Sequence, residues 1–160
     1  MAENASTINW DKSVDILVVG SGNGALTAAL CSHEMGVKDV LVIEKEDQFG
    51  GSSSISGGGV WIPCNRYALE AGTEDSIADA KSYLSSVIPT GTVPEDLIDV
   101  YLAEGPNMVD FLHDHTRVRY ESLAYYPDYY SDAPGARGGH RSMEPAKLNL
   151  SDLGEDWKKL

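Results

Sequence analysis

The chain has 160 residues, enough for one domain with a real core, and a net charge of −13 with a pI near 4.5. That charge argues against nucleic acid, because phosphate binding rests on clustered Lys and Arg. The polar first residues exclude a signal peptide, no apolar run approaches the ~18 residues needed to span a membrane, and Cys31 and Cys64 follow no metal or redox spacing. A reduced, cytoplasmic chain is therefore expected.

Met1 to Lys12 is polar and reads as frayed, apart from Ile8 and Trp10, which are expected to pack near the first strand. Val14 to Val19 is an apolar run that feeds directly into Gly20-Ser21-Gly22-Asn23-Gly24-Ala25. A small-residue helix follows, with Leu26, Ala29, Leu30 and Met35 as its stripe and Gly36 as its stop. Asp39 to Ile43 is a second strand, and it ends at Glu44, 20 residues after Gly24. Strand, glycine turn, helix, strand and acid in this order form the dinucleotide-binding fingerprint. Gly20 permits the tight turn, Gly22 lets the backbone approach a pyrophosphate, and Ala25 allows close helix-to-strand packing. The N–H groups that open the helix face the phosphates, and the Glu44 carboxylate accepts from a ribose diol.

Phe49 to Gly59 is too rich in Gly and Ser to be a core element. A flexible linker has this composition, but the stretch follows the ribose-binding acid and runs straight into Val60-Trp61-Ile62-Pro63. A loop of exposed backbone N–H groups and Ser hydroxyls is what a pyrophosphate and a flat polar ring system need. It holds no Gly-x-Ser-x-Gly nucleophile elbow, and the first turn has no Walker lysine.

Asn65 to Gly72 reads as a short helix, Thr73 as the cap of the next, and Ile77, Ala80, Tyr83, Leu84 and Val87 as its stripe. Pro94 opens a helix to Ala103 with Leu97, Ile98 and Tyr101 buried, and Gly105-Pro106 restarts the pattern into Met108, Val109, Phe111 and Leu112. The ten acids between Tyr67 and Thr116, against Lys81 alone, read as solvated helix faces. His113 and His115 point to different faces of a helix, so no metal set is assigned. Val118 to Leu123 alternates weakly as a short strand, and four tyrosines lie in Tyr125-Tyr126-Pro127-Asp128-Tyr129-Tyr130. With Pro134 to Arg141 they form an irregular loop. Such tyrosines either cover an interface or line a pocket for a flat apolar molecule. No third parallel strand with a crossover helix follows Ile43, nor a closing strand or long helix near Leu160, so the chain reads as the front part of something larger.

Asp15 to Gly22, Glu44-Lys45, Phe49-Gly50-Gly51, Ser56 to Pro63, Ala71-Gly72 and Gly105-Pro106 together resemble the FAD-dependent fumarate reductase and ketosteroid dehydrogenase superfamily. Val60 to Asn65 and Pro127-Asp128-Tyr129 are most similar to 3-ketosteroid Δ1-dehydrogenases. The resemblance implies an α/β fold: the N-terminal βαβ of a Rossmann-like, glutathione-reductase-type FAD-binding domain, followed by a helical segment and incomplete here. It implies a βαβ unit at 12–48, a flavin loop at 49–64 and a helical, tyrosine-rich segment at 65–160, all within one partial domain. The catalytic domain and the C-terminal part of the FAD-binding domain are then missing. By the same resemblance Gly20, Ser21, Gly22, Asn23, Gly24 and Ala25 hold the pyrophosphate, Glu44 the adenosine ribose and Lys45 its surroundings. Gly50, Gly51, Ser52, Ser53, Ser56, Gly57, Gly58 and Gly59 hold the pyrophosphate and the flavin ring.

In that family a steroid C1 hydride passes to the flavin while a tyrosinate removes a C2 proton and another tyrosine polarises the C3 carbonyl. Those two tyrosines belong to later parts of the chain. Tyr129 matches the tyrosine that supports the base by hydrogen bonding to the phenolate. The first glycine turn alone admits NAD or FAD; the second loop, close behind Glu44, selects FAD. The implied partners are FAD, a 3-ketosteroid or similar flat substrate in the full-length enzyme, and the missing remainder of that enzyme. The implied activity is oxidation of a CH–CH bond, with this fragment alone inactive. A fumarate- or urocanate-type reductase uses the same FAD cradle, and a fragment that does not hold FAD by itself is the non-enzymatic alternative.

Overall fold

The computed structural model describes residues 9–159, which fall into two compact units, 9–54 with 158 and 159, and 55–157. In the first unit, β-branched runs form strands β1 (Ile16–Val19) and β2 (Val40–Ile43), which pair in parallel with Ile16 opposite Val40 and Val19 opposite Ile43. Helix α1 (Asn23–Glu34) makes the crossover. Gly20, at φ +97°, turns the chain out of β1, and its N–H donates to the Ile43 carbonyl at 2.7 Å. At the far end of α1 the Met35 and Gly36 amides close back on Cys31 and His33, so the expected glycine stop is present. Trp10, expected to pack, is exposed, and Ile8 lies outside the described residues. The glycine-serine stretch is not wholly irregular: Gly51–Ser54 forms a single helical turn, α2.

The second unit packs three helices against an antiparallel sheet. Its strands are β3 (Val60–Trp61), β4 (Tyr120–Ser122) and β5 (Ser142–Pro145), in the order β3-β5-β4. Strand β5 has no sequence signature; it exists because its two neighbours pair with it on both sides. Helix α3 (Arg66–Glu70) is capped by Asn65, whose side chain accepts from the Ala68 N–H. Helix α4 (Ile77–Val87) is capped by Ser76, not by the expected Thr73. The Thr73 N–H bonds instead to the Ala68 carbonyl and closes the preceding helix.

Helix α5 runs unbroken from Glu95 to His115, so Gly105-Pro106 does not restart it. Its buried stripe is Ile98, Leu102, Gly105, Val109 and Leu112, while Leu97 and Tyr101 of the expected stripe are exposed. Tertiary packing overrides the local break. A Cβ at Gly105 would lie 3.2 Å from Ile62 Cγ2, so the glycine is what lets the helix lie close against the segment after β3. Ile62, Val109 and Met143 form one core cluster, and Ala80, Ile98 and Leu102 form another that Trp61, Leu84 and Ile88 cover. The last described segment, Leu150–Lys159, is a 3-10 helix interrupted at Gly154. Among the described residues no helix is long and apolar enough to cross a membrane.

Candidate functional site

In the first unit the expected cofactor residues converge at the carboxyl ends of β1 and β2. Ser21 is buried; its hydroxyl donates to Glu44 Oε2 and accepts from the Gly50 N–H at 2.9 Å. One side chain thus joins the glycine turn, the acid and the second glycine loop. The other Glu44 oxygen accepts from the N–H groups of Lys45 at 2.8 Å and Glu46 at 3.2 Å. The Ser21 hydrogen bond, followed by that from Glu46, outweighs burial and holds the carboxyl below the ordinary carboxylate range. Glu44 is therefore an ionised acceptor at neutral pH.

Ser53 Oγ accepts from the Asn23 N–H at 3.0 Å, which ties α2 to the start of α1. Gly22 caps α1 without a side chain, and its first turn carries no acid. The positive end of the helix dipole is thus left to an outside anion. Val19, Gly20, Ile43, Glu44 and Lys45 line a cavity of about 380 Å³. The Lys45 ammonium meets Glu46 at 3.1 Å on the surface. The donor set fits a dinucleotide: backbone N–H groups for phosphate and a fixed carboxylate for hydroxyls. Gly24, Ala25, Gly51 and Ser52 belong to the same unit, where the Gly51 carbonyl accepts from the Ser54 hydroxyl at 2.9 Å.

Ser56, Gly57, Gly58, Gly59 and Tyr129 belong to the second unit. There the Ser56 hydroxyl accepts from the Gly58 N–H at 3.1 Å. Gly57, Gly59, Trp61, Tyr126, Asp128 and Tyr129 are among the residues around a largely apolar pocket of about 500 Å³. Tyr129 is 85% exposed, and its hydroxyl accepts from Tyr126 at 3.2 Å, with the two rings edge to face. The Tyr129 hydrogen bond, more than the charge repulsion between the two phenolates, raises the pKa of Tyr126.

Sequence reasoning missed what lies behind that pocket. Arg141, 2% exposed, grips Asp75 with two parallel hydrogen bonds, Nε to Oδ2 at 3.0 Å and Nη2 to Oδ1 at 2.8 Å. Its Nη1 reaches Asp128 Oδ2 and the Gly135 carbonyl, each at 2.9 Å. Asp128 Oδ1 accepts from Trp61 Nε1 at 2.6 Å, and Oδ2 also accepts from the Arg137 N–H at 2.9 Å. Asp75 and Asp128 are accordingly buried, whereas the acids around Asp75 were expected on solvated faces. Burial raises Asp75, but the Arg141 hydrogen bonds, the Cys64 N–H and the Arg141 charge hold it below the ordinary carboxylate range. The available signal was a run of Arg137, His140 and Arg141 among glycines in an otherwise acidic chain. His113 bonds to the Tyr67 hydroxyl at 2.8 Å and His115 stacks on Phe111. No cluster suited to a metal ion occurs among the described residues.

The model of a family described as FAD binding domain matches residues 15–159. The chain is 42% identical over 142 residues to the 3-oxosteroid 1-dehydrogenase of Mycobacterium tuberculosis, covering 89% of this chain and 25% of that protein. It is also 42% identical over 139 residues to the 4-oxocyclohexanecarboxylate 2-dehydrogenase of Sinomonas cyclohexanicum, covering 87% and 24%. Among solved structures, the 3-ketosteroid delta1-dehydrogenase from Sterolibacterium denitrificans in complex with 1,4-androstadiene-3,17-dione superposes with a TM-score of 0.83 at 41% identity. That match covers 92% of this chain and 26% of the other. The similarity to ketosteroid dehydrogenases expected from the glycine, Trp-Ile-Pro and Pro-Asp-Tyr motifs is present, and the chain spans about a quarter of the length of these relatives.

Proposed function

We propose, because this chain belongs to the FAD binding domain family, that it is the FAD-binding front part of a flavin-dependent dehydrogenase that desaturates a 3-ketosteroid or a similar flat ketone. In this reading 12–48 is the βαβ unit of a Rossmann-like, glutathione-reductase-type domain, 49–64 is the flavin loop, and 65–160 is the helical, tyrosine-rich segment. FAD supplies the acceptor for a hydride. Gly20 to Ala25 present the α1 N-terminus to its pyrophosphate, with Gly50 to Ser53 beside it. Glu44 accepts from the ribose, and Lys45 borders the adenosine. Ser56 to Gly59 line the approach to the flavin. Tyr129 supports the base that takes a proton from the substrate, at the rim of the apolar pocket.

The observation that carries this reading is the Ser21 hydroxyl joining Glu44 to Gly50, because it fixes an ionised carboxylate beside two glycine turns. The purified chain, mixed with FAD and passed through gel filtration, is expected to emerge yellow with stoichiometric flavin. Glu44→Ala is expected to weaken retention by at least about tenfold, the worth of a hydrogen bond to a charged acceptor. Undiminished retention in that variant would remove Glu44 from the site.

A second reading, that the chain holds FAD only with further polypeptide, draws on the exposed apolar side chains of Leu17, Val19 and Ile43 on a parallel sheet that contains two strands. Parallel sheets are ordinarily covered on both faces, and uncovered strand edges invite association. A colourless wild-type chain that regains flavin only beside the rest of the enzyme is the result that favours it.

A further inference from the structure

Behind the tyrosine-lined pocket lies a set of buried charges that the cofactor and substrate reading leaves without a task. Arg141, Asp75 and Asp128 are taken out of water together. Such a set is a poor source of net stability, since well-packed apolar side chains of the same volume do as well or better. What it supplies is direction. A guanidinium offers its donors in a rigid plane, and Arg141 uses that plane to hold Asp75 on one side and Asp128 on the other.

Asp128 in turn is divided between two parts of the pocket. Its Oδ1 holds the indole of Trp61 in β3, and its Oδ2 holds Arg141 and the Arg137 amide. Its own N–H returns to the Arg137 carbonyl at 2.9 Å. In sequence it stands between Tyr126 and Tyr129, the hydrogen-bonded pair at the rim. Trp61 is fixed from its other sides too: it stacks on Tyr101 with centroids 6.4 Å apart, and the Arg141 guanidinium lies 5.6 Å from its ring centre. The backbone supports the same view. Cys64 (φ +54°) and His140 (φ +69°) are the non-glycine residues with left-handed φ among those described, and both border this cluster. The Cys64 N–H donates to Asp75, while the His140 carbonyl accepts from buried Asn65 and precedes Arg141. Strained backbone persists where its surroundings over-determine it.

We propose that Asp128, clamped by Arg141, is a positioning residue for Tyr129: its two oxygens hold the indole wall and the tyrosine-bearing loop of the pocket in a single arrangement. The catalytic meaning of that arrangement rests on the reading of this pocket as the substrate site. The geometry itself does not.

The test uses Asp128→Asn, which keeps the volume and an acceptor for the indole but removes the charge that Arg141 grips. NMR titration of the tyrosine rings in the full chain is expected to find Tyr126 above the ordinary tyrosine value, and Tyr129→Phe assigns the effect by abolishing it. Asp128→Asn is expected to return Tyr126 toward the ordinary value while circular dichroism stays native. Trp61→Phe, which removes only the indole donor, is expected to do so in part, and it decides the matter if Asp128→Asn does not fold. An unchanged Tyr126 titration in the folded variants overturns the proposal and leaves the cluster a packing device.

A second arm adds 1,4-androstadiene-3,17-dione and follows tryptophan fluorescence, with about tenfold weaker binding expected for Asp128→Asn. Wild-type chain that ignores the steroid while Tyr126 still responds to Asp128→Asn would sink the substrate reading and uphold the positioning role. Steroid binding that Asp128→Asn leaves intact, with Tyr126 unmoved, does the reverse.

Discussion

Replacing Arg141 with alanine is expected to destabilise the chain by about 3–5 kcal/mol, read as a fall in the urea midpoint with little change in slope. The loss comes from what remains. Asp75 and Asp128 would stay buried without the guanidinium that neutralises them, and the Gly135 carbonyl would lose its donor. The pH dependence separates this cause from simple loss of packing. In the wild-type chain the pKa of Asp75 is lowered on folding, so its contribution is present above the ordinary carboxylate value of about 3.9 and is lost as pH falls through the lower folded value. In the variant the Arg141 hydrogen bonds and charge are gone, and burial, the largest influence on Asp75, is opposed only by the Cys64 and Ser76 N–H groups and by Arg137 at 3.5 Å, so the lowering shrinks. The variant therefore has less of this stability to lose as pH falls. The gap between the two proteins is therefore expected to narrow from pH 7 to pH ~3. A gap that stays constant across that range would mean that Arg141 acts through its volume alone.

The first unit was legible because its information is local. β-branched runs, a glycine turn and an acid at fixed spacing each have one physical solution, and β1, α1 and β2 pair as that solution requires. The second unit was less so. Ser142–Pro145 carries no strand pattern, yet it is the central strand, with Met143 fully buried, because β3 and β4 each pair with it. Gly105-Pro106 reads as a break by propensity, but the stripe from Ile98 to Leu112 keeps the helix whole. Glu44 and Tyr129 were singled out from spacing and resemblance. Arg141 was read only as the end of an irregular loop, because its partner Asp75 lies 66 residues away and no local rule pairs them. Buried ion pairs are set by topology, and topology was what the sequence left most open.

Leu102→Ala is the substitution expected to act on that topology most directly. Leu102 is fully buried where α5 meets α4, in contact with Ala80 and Ile98 and beneath Trp61, Leu84 and Ile88. Removing its side chain is expected to cost about 2–5 kcal/mol, the spread reflecting how far the cavity collapses. The position is sensitive for a second reason. Pro106 has no N–H to offer the Leu102 carbonyl, so this turn of α5 depends on side-chain packing more than its neighbours do. Collapse of the cavity would also draw on Trp61, which both covers this cluster and forms a wall of the tyrosine-lined pocket. A thermal melt should show the loss, and the Trp61 indole signal in an NMR spectrum should shift with it. Leu102→Met, which nearly conserves volume, is expected to cost under ~1.5 kcal/mol and leave that signal in place. If Leu102→Ala melts as the wild type does, α5 is held chiefly by its other contacts, those of Val109 and Gly105 with Ile62.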